Sequence, residues 1–188
     1  SDLRDRITAN KKRKPDIKAM MEQACNKANR MIYSYSCFDT DYTGMGTTMV
    51  CAVICRDAAY VLNVGDSRCY KITRKRMEQI TRDHSLVQDM VDRGEISPEQ
   101  ARTHPRRNVI TRALGVNGLV PCDIFTPKLQ RGDMLLLCSD GLTNMLEDKE
   151  IFAFSRKNPD PLSLGRALMA EALRREARDN VTIVIISK

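Results

Sequence analysis

The sequence contains no tryptophan, and aromatic residues make up only 5% of its 188 positions. A surface that stacks nucleobases draws on aromatic rings, so this chain is poorly supplied for one. It also lacks any apolar run near the roughly 18 residues that would cross a bilayer. Residues 1–15 carry charge where a secretory signal would carry a hydrophobic stretch. These absences lead us to expect a cytoplasmic protein with no membrane segment and no nucleic-acid partner. Two catalytic signatures are missing as well. No glycine-rich loop ends in Gly-Lys-Ser/Thr to cradle a phosphate, and no Cys-x5-Arg loop supplies a thiol nucleophile.

The charge that is present supports the same reading. The net charge is +7. Arg4, Arg6, Lys11, Lys12, Arg13 and Lys14 against Asp2 and Asp5 place +4 of it in residues 1–15, leaving +3 for a remainder of well-mixed sign. A solvated basic tail accounts for this better than a phosphate-tracking surface does. The seven cysteines, at positions 25, 37, 51, 55, 69, 122 and 138, are odd in number, and several sit in apolar runs. That suits free, core-filling thiols in a reducing compartment. Cys51 and Cys55 fall in a strand pattern, where residues four apart are separated by about 13 Å, too far to chelate one ion.

Hydrophobic spacing places a helix from Asp16 to about Tyr35, with Ile17, Met20, Ala24, Ala28, Met31, Ile32 and Tyr35 on one buried face. After a Ser36–Gly46 loop the period changes. Thr47–Arg56 is apolar on both faces and reads as a central strand, followed by a strand at Ala59–Val64 and a hairpin, Cys69–Thr73 with Met77–Thr81. Helices are expected over Leu86–Arg93 and after Ser97-Pro98, where Ser97 caps and Gln100 completes a capping box. Strands resume at Val120–Thr126 and Met134–Cys138. Helices follow near Glu147–Ser155 and Pro161–Ala177, and the chain ends on an apolar strand, Val181–Ile186. Short strands joined by brief turns indicate antiparallel sheet, and the chain reads as one α+β domain over residues 16–188 behind the basic segment 1–15.

Three aspartates stand at the ends of these strands. Asp140 follows Met134–Cys138, Asp179 precedes Val181–Ile186, and Asp83 comes just after Thr81. Carboxylates at the mouths of rigid strands suit a hard cation such as Mg²⁺ or Mn²⁺ better than Zn²⁺. Taken singly, each is an ordinary turn residue. Their setting gives them weight. Gly44-Met45-Gly46-Thr47-Thr48, Asn63-Val64-Gly65-Asp66-Ser67-Arg68-Cys69-Tyr70 and Thr81-Arg82-Asp83-His84-Ser85-Leu86-Val87 occur in order. They are followed by His104-Pro105-Arg106-Arg107-Asn108-Val109-Ile110-Thr111-Arg112-Ala113-Leu114-Gly115, by Gly132-Asp133 with Ser139-Asp140-Gly141-Leu142, and by Asp179-Asn180-Val181-Thr182.

This series resembles the motifs of type 2C metal-dependent serine/threonine protein phosphatases, most closely the small bacterial branch. The resemblance implies an α-β-β-α sandwich of two antiparallel sheets flanked by helices, and hydrolysis of phosphoserine and phosphothreonine in proteins by a metal-activated water. It implies Asp140 and Asp179 as ligands of a binuclear Mn²⁺ or Mg²⁺ centre, and Asp83 as a ligand, with Asp140, of a third, weaker ion. Phosphorylated proteins are the implied partners, and a Ser/Thr kinase the implied opponent. Residues 86–118 correspond to a variable flap, while Asp66, Arg68, Gly44 and Gly46 are read as turn-formers. Three family features do not occur in these 188 residues: a phosphate-gripping Arg, a Glu-Asp pair, and an Asp-Gly-x-x-Gly motif whose Asp bridges the metals. The expectation is therefore a fold incomplete at its N-terminus, within a longer protein that carries them. The alternative is a catalytically inactive pseudophosphatase or regulatory binding module.

Overall fold

The apolar spacing that begins at Ile17 forms one long helix, α1 (Ile17–Phe38), in the computed structural model, which describes residues 16–38, 40–55 and 58–188. The basic segment 1–15 and Arg56 lie outside the described residues. Asp16 starts the helix, its Oδ1 accepting the Ala19 N–H at 3.1 Å. Ile17, Met21, Cys25 and Asn29 form the buried stripe, one position on from the expected Met20, Ala24 and Ala28. Met31 and Tyr35 of the expected face are exposed, because the sheet meets the helix along the i, i+4 row through Met21 and Cys25. The helix runs past Tyr35 to Phe38, so it takes in the beginning of the segment expected to be a loop.

Strands β1 (Met49–Cys55) and β2 (Ala58–Val64) pair antiparallel, and β2 pairs on its other side with β5 (Asp123–Phe125). Strands β3 (Arg68–Ile72) and β4 (Met77–Gln79) form the expected hairpin. β3 also pairs with β6 (Met134–Cys138), which pairs with β7 (Ile183–Ser187), giving a second antiparallel sheet ordered β4-β3-β6-β7. β1 is apolar on both faces yet sits at the end of its sheet among the described residues. Its two-sided burial comes from the layers above and below. Met49, Cys51, Val53 and Cys55 pack in the cluster with α1, while Val50, Ala52 and Ile54 face the core between the sheets. β7 likewise ends its sheet, and Val184 is 50% exposed, so this strand is half-buried rather than buried.

The connections to β6 and β7 supply the second helical layer. Helices α2 (Leu86–Asp92) and α3 (Pro98–Thr103) precede β5, and the Ser97–Gln100 capping box at α3 forms as its sequence requires. Helices α4 (Asp140–Thr143), α5 (Asp148–Lys157) and α6 (Pro161–Arg174) cover the outer face of the β3–β6–β7 sheet. There Leu142, Leu146, Ile151, Leu164 and Leu168, all fully buried, close over Tyr70, Leu136 and Cys138. Each such leucine contributes about 1.5–3 kcal/mol relative to exposure. The layers thus run helix, sheet, sheet, helix, with one core cluster between each adjacent pair, as expected. Helix α4 was not anticipated, because four residues are too few to show a 3.6-residue period.

One buried polar residue ties the first helix to the far loop. Asn29, 1% exposed, donates from Nδ2 to the carbonyls of Asn117 and Gly118 and accepts the Gly115 N–H at 2.8 Å. Gly115 has φ +86, and a Cβ there would meet Ile32 Cγ2 at 2.2 Å. No helix of the described residues is long and apolar enough to cross a membrane.

Candidate metal and phosphoester site

Asp140 and Asp179 come from opposite ends of adjacent strands and are brought together by backbone pairing. β6 delivers Ser139-Asp140-Gly141, and the segment entering β7 delivers Asp179-Asn180-Val181-Thr182. The Ser139 N–H donates to the Thr182 carbonyl (3.1 Å) and the Thr182 N–H to Ser139 Oγ (3.0 Å), while Ser139 Oγ donates to the Asn180 carbonyl (3.2 Å). A Cβ on Gly141 would stand 2.4 Å from the Asn180 carbonyl oxygen. The close approach of the two loops therefore depends on glycine at this position. Asp140 opens α4, where Asn144 Nδ2 donates to its Oδ2 at 3.1 Å, and Asp179 is exposed.

Asp83 lies in a different setting. It is 6% exposed, in the loop between β4 and α2. Arg68, the first residue of β3, reaches across to it with Nε 3.0 Å from both carboxylate oxygens and Nη2 2.7 Å from Oδ2. Gln79 Nε2 donates to Oδ1 at 2.9 Å. Among the described residues, no three His, Cys, Asp or Glu side chains converge into a metal-holding group. What the structure brings together is the pair of loops bearing Asp140 and Asp179, while the Asp83 carboxylate is paired with Arg68.

Asp66, read from the sequence as a turn residue, belongs to this acidic region. Burial, reinforced by the charges of Asp140 and Asp83, pushes its carboxyl up to about 6 despite opposing help from Arg68 and a backbone N–H. The loop carrying it is pinned to the Asp83 loop. Asn63 Nδ2 donates to the carbonyls of Gly65 (3.1 Å) and Arg82 (3.0 Å). The Gly65 N–H donates to His84 Nδ1 (3.1 Å) and the His84 N–H to the Gly65 carbonyl (3.0 Å). On the other side of the ring, His84 Nε2 lies 3.1 Å from both Asp123 Oδ2 and Arg112 Nη1, and Arg112 Nη1 also donates to Asp123 Oδ1 at 3.0 Å. The signal for Asp66 and Arg68 was present in the Gly-Asp-Ser-Arg run before β3, but only the cross-strand contacts assign them partners.

The donors in this region are carboxylate oxygens, the chemistry that Mg²⁺ and Mn²⁺ select. The Asp66 carboxyl, raised first by burial and further by the charges of Asp140 and Asp83, lies among carboxylates whose charge a divalent cation would offset, so the residue types present fit such an ion. A stability consequence follows for the cation-free protein. An aspartate held above its unfolded value of about 3.9 contributes fully below that pH, and the contribution is lost as pH rises through about 6. Asp66→Asn is therefore expected to stabilise the protein by about 1–2 kcal/mol at pH 7.5 relative to its effect at pH 4. Thermal unfolding of both proteins at the two pH values, in chelator, checks this; equal shifts at both would refute it.

The family model described as Protein phosphatase 2C matches residues 2–175 of the chain. The serine/threonine phosphatase stp of Listeria monocytogenes is 37% identical over 173 residues, covering 92% of this chain and 69% of that protein. The serine/threonine protein phosphatase PstP of Mycobacterium tuberculosis is 34% identical over 170 residues, covering 90% of this chain and 33% of that protein. Among solved structures, the serine/threonine phosphatase Stp1 from Staphylococcus aureus superposes with a TM-score of 0.87 at 38% identity, covering 91% of this chain and 67% of that one. The catalytic domain of PstP in complex with two manganese ions superposes with a TM-score of 0.82 at 31% identity, covering 98% of this chain and 78% of that one.

Proposed function

Because this chain belongs to the protein phosphatase 2C family, we propose that it hydrolyses phosphoserine and phosphothreonine esters in proteins, with Mn²⁺ or Mg²⁺ as cofactor. The observation that supports this reading is the set of hydrogen bonds from Ser139 to Asn180 and Thr182, which ties the loop bearing Asp140 to the loop bearing Asp179. In this reading Asp140 and Asp179 hold two cations, and Asp83 supports a third, weaker one. Cations held there would supply charge to offset that on the phosphoryl oxygens and would acidify a water for attack. The chain's own residues fix geometry. Ser139 locks the two loops in register, Asn144 orients the Asp140 carboxylate, and Asn63 with His84 hold the Gly65–Asp66 loop against the Asp83 loop. The physiological partners in this reading are phosphorylated proteins in the cytoplasm, and the activity opposes that of a Ser/Thr kinase. A phosphothreonine peptide tests it. Protein expressed from the complete coding sequence containing these residues is expected to release inorganic phosphate when Mn²⁺ is present and to stop in excess chelator. No phosphate release in Mn²⁺ or Mg²⁺, or undiminished release in chelator, would overturn the proposal.

A further inference from the structure

The carboxylate of Asp83 is already occupied. Three N–H groups, from Arg68 Nε, Arg68 Nη2 and Gln79 Nε2, lie 2.7–3.0 Å from its two oxygens. Its side chain is 9% exposed and that of Arg68 is 22% exposed. A carboxylate offers about four lone-pair sites, and a hard divalent ion such as Mg²⁺ would claim oxygen at about 2.0–2.1 Å. A guanidinium already within hydrogen-bond distance of both oxygens is positively charged too. The two cations repel each other in a poorly solvated place and draw on the same lone pairs. Arg68, however, has a second anion within reach. Its Nη1 lies 3.9 Å from Asp148 Oδ1, and the Tyr70 hydroxyl bridges the two, accepting from Nη1 at 3.0 Å and donating to Asp148 at 3.0 Å. Asp148, with a side chain 51% exposed, is the more hydrated of the two carboxylates.

We propose that Arg68 and a divalent cation compete for Asp83, and that a cation arriving there displaces the guanidinium toward Asp148. The proposal rests on the reading of Asp83 as a ligand of the third ion and adds what governs that ion. Arg68 is then a positioning residue: it sets how weakly the third ion binds, because the ion must break a charge-assisted, bidentate pair. Coupling is reciprocal, so whatever draws Arg68 off Asp83 strengthens the ion there, and the ion's departure returns Arg68 to it.

Protein from the complete coding sequence is titrated with Mn²⁺ in a calorimeter. Arg68→Gln is expected to tighten the weakest ion by about tenfold or more, leaving the tighter ions within about twofold, because the competing charge is gone. Asp83→Asn is expected to abolish the weakest ion. Removing Arg68 strands a buried carboxylate and destabilises the fold, so a second measurement uses the unmutated protein. In a Mg²⁺ titration followed by ¹H–¹⁵N NMR, the Arg68 Nε–Hε resonance is expected to move in step with occupancy of the weakest ion. If Asp83→Asn leaves every ion affinity unchanged, the placement of an ion at Asp83 falls and the competition falls with it. If Asp83→Asn removes the weakest ion while Arg68→Gln fails to tighten it and the Nε–Hε resonance stays still, the competition alone is overturned.

Discussion

Asp140→Asn is expected to lower kcat/KM for Mn²⁺-supported hydrolysis of a phosphothreonine peptide by about 100-fold or more, and Asp179→Asn to do the same. The substitution keeps size and shape but replaces an anionic oxygen donor by a neutral amide. Asp140 sits outside the fully buried part of β6, at the first position of α4, where Asn144 accommodates either side chain. The fold should therefore persist while the site loses charge. One group that acts directly on transition-state charge is typically worth 10²–10³ in rate, or about 3–4 kcal/mol. The loss should appear in Mn²⁺ affinity as well, because the two aspartates share one region through the Ser139–Thr182 bonds. Unaltered thermal unfolding with activity near that of the parent would remove Asp140 and Asp179 from the site.

Gly141→Ala is expected to be nearly as damaging to activity although it removes no functional group. The added methyl would stand 2.4 Å from the Asn180 carbonyl oxygen and 3.1 Å from its carbon, both backbone atoms that cannot rotate aside. One loop must move, and the Ser139–Asn180–Thr182 hydrogen bonds oppose the movement. Such overpacking costs about 1–3 kcal/mol of stability. The displacement of Asp179 relative to Asp140 is the larger functional effect, since a shift on the order of 1 Å in a reacting constellation can cost about 100-fold. Gly165→Ala is the control. Its Cβ would make only ordinary contact with Ile185 Cδ1, 3.7 Å away, in the middle of α6. Helix propensity favours alanine there, so stability should hold or rise and activity should not change. Equal behaviour of the two variants would show that the glycine at 141 is not what keeps the loops close.

Much of this architecture was legible before any coordinates. The existence of helix α1, the β3–β4 hairpin, the Ser97 capping box and the buried β6 run follow from local periodicity and local hydrogen bonding, which the sequence expresses within a few residues, whereas the face that α1 buries does not. The ordered motifs likewise identified the family, because short strings around glycine and aspartate are constrained by turn geometry. Other features exist only through contacts between distant segments. Among the described residues β1 ends its sheet, although its apolar character on both faces suggested an interior strand; layers above and below bury a strand as well as neighbours beside it do. The pairing of Arg68 with Asp83 spans fifteen positions in sequence and two loops, and the charge that Asp140 exerts on Asp66 spans more. Sequence alone determined which residues bear carboxylates and which strands carry them to the surface. Only the tertiary structure decided which of those carboxylates face solvent, which repel one another, and which is already held by an arginine. Those outcomes depend on distance and burial in three dimensions, and no local pattern records them.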